Sequence, residues 1–124
     1  MANTVMTSFK KELMEGTHDL ATSGDTFKLA LYTSSSSINS AATTIYTTSD
    51  EVGNSGTYAA GGGTLAGQTV TTDGTTAICN FTDLEFTSAT ITARYALIYN
   101  SSESNAAVCI LDFSTDQTST AGTF

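Results

Sequence analysis

The chain predicts a mainly β protein, an antiparallel β-sandwich or jelly-roll-like domain with a short N-terminal amphipathic helix. Three observations lead there. About a third of the 124 residues are Thr or Ser, proline is absent, and the apolar residues come in short alternating runs. Alternation of branched or aromatic residues with polar ones suits a pleated, half-buried strand. Turn signals recur between the runs at the spacing of a sandwich or barrel. At this length residues 1–124 read as a single domain with one modest core, the helix over 3–16 and the sandwich over 26–124.

The helix comes first. Val5, Met6, Phe9 and Leu13 recur at helical spacing and form one apolar stripe, with Lys10, Lys11, Glu12 and Glu15 off it. Asn3 or Thr4 can cap its start, and Gly16 suits its stop. Such a helix either packs on its own domain or docks on a neighbouring subunit. Thr17 to Asp25 is a polar connection, in which His18 reads as a surface or turn residue.

The β portion opens with Thr26 to Thr33, where Phe27, Leu29 and Leu31 face one way and Lys28, Ala30 and Tyr32 the other. Ser34 to Ala42 reads as an exposed loop, and Thr43 to Thr48 is β-prone. Asp50 to Gly63 is the longest irregular stretch. Its glycines allow positive φ and close backbone approach. It lacks the Lys-Ser/Thr and the following helix of a phosphate cradle, so a binding or subunit-contact loop is the better reading.

Asp73-Gly74 marks a hairpin into Thr75 to Phe81, with Ala77, Cys79 and Phe81 on one face. Ile91 to Asn100 is the strongest strand, and Ala106 to Phe113 is its return partner. Both carry apolar residues on both faces, as in strands buried on two sides. Arg94 and Asp112 are the charged exceptions, suited to pairing or to an edge.

Charge bounds the function. Charged residues make up 13% of the chain, against about 25% typically. The net charge is −8, with only Lys10, Lys11, Lys28 and Arg94 positive. That argues against nucleic acid and against anionic membrane. No apolar run is long enough to span a bilayer, and the first residues lack the layout of a signal peptide. Asn80-Phe81-Thr82 and Asn100-Ser101-Ser102 read as chance glycosylation matches. Cys79 and Cys109 read as buried free thiols, with a disulfide between neighbouring strands as the alternative.

Catalytic templates fit poorly, and neither a catalytic residue, a cofactor site nor a metal site is expected. A nucleophilic triad needs a base, and His18 is the one imidazole. Asp50 with Glu51, or Asp83 with Glu85, supply close carboxylates, but acids in polar loops read as solvated surface. No calcium ladder or zinc spacing is present. The expected contact residues are Phe9 and Leu13 on the helix, and Tyr46, Tyr58 and the loop glycines Gly53, Gly56, Gly61, Gly62 and Gly63.

Six blocks taken in order carry a resemblance: Phe9 to Asp19, Asp25 to Thr33, Tyr46 to Val52, Tyr58 to Gly62, Ala93 to Asn100 and Val108 to Phe113. In this arrangement the chain resembles a family of small, mostly uncharacterised proteins encoded by tailed bacteriophages. The resemblance implies a non-enzymatic virion structural protein, made in the bacterial cytoplasm. It implies other virion proteins as partners, the major capsid protein or tail and neck proteins, and a homo-oligomer. Capsid decoration, or cement, is the leading role. The alternatives are a neck, tail or head-fibre component, or a carbohydrate- or receptor-binding module with Tyr46, Tyr58 and the acids near Asp50 around a glycan. Members of the family continue past Phe124 into one more apolar strand, which leaves an edge open to a neighbouring strand.

Overall fold

The computed structural model describes residues 3–38 and 40–124; residues 1, 2 and 39, within the expected domain span, lie outside the described residues. The fold is mainly β and antiparallel, with one short N-terminal helix. In chain order the elements are β1 (Thr4–Val5), α1 (Thr7–Met14), β2 (Phe27–Tyr32), β3 (Gly63–Thr64), β4 (Thr69–Asp73), β5 (Thr76–Asn80), β6 (Ala89–Asn100) and β7 (Ala106–Gly122). A five-stranded sheet runs β1-β7-β6-β2-β3, and β4 and β5 form a separate hairpin. The arrangement is sandwich-like and is not a closed barrel.

The N-terminus departs from the expected helix over 3–16. Thr4 and Val5 pair with Ile110 and Cys109 as an edge strand. Helix α1 therefore begins at Thr7, and Met6, in an extended conformation, occupies the N-cap without a side-chain cap. Val5 leaves the helical stripe because its backbone is needed by β7. Gly16, at φ 75°, ends the helix as expected, and its amide bonds the Leu13 carbonyl at 3.2 Å.

Paired residues share a face, so Val5, Cys109, Ile98, Leu29 and Phe27 lie on one side of the sheet. Lys28, Ala30 and Tyr32 lie on the other with Tyr99, Leu97, Tyr95 and Ile110. The first side packs against Phe9 of α1, Leu20 and Phe81. The second is covered by the segment after β2, where Ile38 is buried and Tyr46 stacks on Tyr99 at 4.7 Å. Both faces of β2 and β6 are thus buried, which explains their apolar residues at successive positions. Each fully buried large side chain, such as Phe27 or Leu97, stabilises the fold by about 1.5–3 kcal/mol.

The hairpin forms where Asp73-Gly74 predicts it, with Gly74 at φ 61°. The β-prone Thr43–Thr48 makes only an isolated bridge, Ile45 to Ala106. Strand β7 runs well past its expected end at Phe113. Between Ala93 and Tyr95 of β6, its register jumps from Gln117 to Asp112, so β7 bulges. Asp112 Oδ1 accepts from Arg94 Nε at 2.9 Å and from the Ser114 amide at 2.8 Å, pinning the bulge. The guanidinium holds the Asp112 carboxyl below the ordinary carboxylate range.

Candidate functional site

The two long edges of the sheet are treated differently, and that difference defines the site. The outer edge of β2 is sealed. β3 covers Lys28 and Leu29. Beyond it the Leu31 amide donates to the Tyr58 hydroxyl at 2.9 Å. The Val52 amide then donates to the Leu31 carbonyl, and the Thr33 amide to the Asp50 carbonyl, each at 3.0 Å. The Gly-rich loop is therefore folded along its own sheet.

Glu51 fastens this seal. Its carboxylate accepts from the Tyr46 hydroxyl at 2.5 Å, the Tyr58 hydroxyl at 2.6 Å and the Gly61 amide at 2.7 Å. The Gly61 carbonyl accepts from the Tyr99 hydroxyl at 2.6 Å, and the Thr47 carbonyl from Tyr32 at 2.5 Å. Burial, with the nearby Glu51 charge, raises the phenol pKa values of Tyr32, Tyr46, Tyr58 and Tyr99. All four rings are protonated donors at neutral pH. This carboxylate already holds three donors, so it is built to position a loop.

The loop glycines divide by what surrounds them. A Cβ on Gly62, at φ 79°, would fall on the Leu29 carbonyl oxygen, and one on Gly56 would fall on the Thr87 carbonyl. Gly63 lies in β3 against Leu84 and Phe86. Gly61 has φ 96° and lies beside Lys28 and Tyr99. Gly53 is exposed, with open space around its Cα. Four of the five expected contact glycines are thus engaged by the chain's own fold.

The aromatic and helical members scatter. Tyr58 is buried at 1% exposure, edge-on to Phe86, so its ring has no face for an outside ligand. Tyr46 is half-buried against Tyr99. The structure does bring Tyr46, Tyr58 and the acid at 51 together, but on each other. Phe9 is buried under the sheet, whereas Leu13, 42% exposed, continues the same stripe into solvent.

The opposite edge is open. β7 is covered at Cys109 and Ile110 by β1, and the Val108 carbonyl accepts from the Met6 amide at 2.9 Å. The Asn3 side chain caps the Asp112 amide at 2.7 Å. From Ser114 to Gly122, no described strand lies along the outer side of β7. This segment is exposed except for Ser119, which is buried, and Gly122, which is half-buried. The tail of β7 is polar and mostly exposed, so hydrophobic alternation does not mark this edge.

His18 is a second correction. It is buried, not a surface residue. It packs on the Phe9 ring at 4.7 Å, with Nε2 3.2 Å from Glu12 Oε1 and Nδ1 2.9 Å from Asn100 Nδ2. Cys79 and Cys109 are free thiols, but both are half-buried rather than buried. No group of three or more metal-ligating side chains is present among the described residues. No described helix is long and apolar enough to cross a membrane.

No family model matches the chain, and no curated protein or solved structure matches it either.

Proposed function

We propose that this protein is a non-enzymatic structural subunit that works by contact. The observation that carries the reading is the unequal treatment of the sheet edges. One edge is sealed by a loop tied to Glu51, while the outer side of β7 from Ser114 to Gly122 is left with backbone groups able to pair with a neighbouring strand. Low charge and abundant hydroxyls suit hydrogen-bonded contact with few desolvated ions.

The six-block resemblance gives this contact a setting, a tailed-bacteriophage virion. There we place the protein as a capsid decoration subunit, ahead of a neck, tail or head-fibre component. The glycan-binding alternative draws no support from Tyr58, whose ring is buried, or from Glu51, which is occupied by internal donors.

Reconstruction of particles from a phage encoding the chain tests the setting. Copies on the capsid lattice support decoration; a ring or spike at one vertex moves the protein to the neck or tail; absence from purified particles overturns the virion reading. The contact mode is tested by light scattering. The wild type is expected to self-associate, and Gln117→Lys with Thr120→Lys, on exposed β7 positions, to reduce association. Unchanged association rejects the edge as the contact.

A further inference from the structure

A cavity of about 430 Å3 lies between the sheet and the β4–β5 hairpin. Phe27, Ile98 and Cys109 line it from the sheet, Phe9 from α1, and Ala77 and Cys79 from the hairpin. None of its lining side chains is charged. Its only ionisable groups are the two thiols, which burial holds protonated, Cys109 being pushed up to about 11.

We infer that this cavity is a binding site for a small, uncharged, apolar molecule, an aromatic ring system or a hydrocarbon chain. Its volume falls within the roughly 300–1,000 Å3 of small-molecule pockets. Apolar walls hold water poorly and hydrocarbon well. A carboxylate or phosphate ligand would find no cation in the lining of a protein of net charge −8. Access is built in. The hairpin pairs with no other described strand. Besides its own ladder, it is held near its base by the Thr22 hydroxyl on the Gln68 carbonyl at 3.0 Å, Gln68 Nε2 on the Ala21 carbonyl at 2.8 Å and the Thr82 amide on the Ala66 carbonyl at 2.8 Å. Lifting it breaks no hydrogen bond of the main sheet. The inference is independent of the assembly reading.

The test titrates the full chain with N-phenyl-1-naphthylamine, a neutral fluorescent hydrophobe. Saturable one-to-one binding is expected, with Cys79 and Cys109 protected from N-ethylmaleimide in its presence. Cys79→Trp and, separately, Ala77→Phe fill the space from the roof. Each is expected to weaken binding by about tenfold or more, with circular dichroism confirming a wild-type fold in at least one. Absence of saturable binding, or unchanged affinity in a folded variant, overturns the inference. It is equally overturned if the thiols are already protected in a dimer that Ala77→Phe dissociates, since the occupant is then a second copy.

Discussion

The side-chain amide of Asn100 donates to His18 Nδ1 at 2.9 Å, joining β6 to the connection that follows α1. Its orientation is fixed on both sides: Nδ2 also donates to Asp25 Oδ2 at 2.8 Å, and Oδ1 accepts from the Ser102 amide at 3.0 Å. A carboxylate can only accept, so Nδ2 faces Asp25 and His18 Nδ1 must be the acceptor. The ring proton then sits on Nε2 and points at Glu12. Nitrogen-15 shifts of the neutral imidazole are expected to report the Nε2–H tautomer. Asn100→Ala leaves three groups without this partner and is expected to cost about 1–3 kcal/mol in chemical denaturation.

Glu51→Gln preserves shape and replaces one acceptor oxygen with a donor. One of the three donors now on the carboxylate, the Tyr46 hydroxyl, the Tyr58 hydroxyl or the Gly61 amide, then loses its acceptor. A loss of about 1–3 kcal/mol is expected. Limited proteolysis between Gly53 and Gly61 should accelerate with it. Unchanged stability and cleavage would show that the carboxylate does not hold the loop.

Alkaline pH loosens the same region. The folded pKa values of Tyr32, Tyr46, Tyr58 and Tyr99 are raised above an ordinary value of about 10. Groups so shifted stabilise the fold fully below the unfolded value, and that contribution fades as pH rises beyond it. Thermal stability should therefore fall above about pH 10. Absorbance near 295 nm should show these phenols ionising together with unfolding. Their free titration in the folded protein would contradict the hydrogen-bond assignments.

Two glycines of the one loop should behave oppositely. Gly62→Ala places a Cβ on the Leu29 carbonyl at a positive φ, and a loss of ~3 kcal/mol or more is expected. Gly53→Ala meets open space and should stay within about 0.5 kcal/mol of wild type. Urea midpoints of the two variants provide the comparison.

Local signals carried much of the fold. Asp73-Gly74 marks the hairpin because the turn residues act within four positions. The alternation in Phe27–Tyr32 and Ile91–Asn100 marks strands because their own neighbours suffice. Val5 shows the limit: it fits a helical stripe with Phe9, yet its place is set by Cys109, far along the chain. The tail of β7 is polar and exposed, so hydrophobic period does not mark it, and pairing with β6 makes it a strand. His18 and Glu51 read as surface because their partners, Asn100 for one and Tyr46, Tyr58 and Gly61 for the other, meet them only after folding.

The sealed side of β2 limits how many neighbours the sheet can recruit. A sheet able to add a strand on both flanks can grow without end, as fibrils do. With residues 50–52 and Tyr58 occupying one flank, strand addition to the five-stranded sheet is confined to β7: in the contact mode proposed above, two copies joined there would use up each other's capacity on that sheet, and it would not propagate into a fibril.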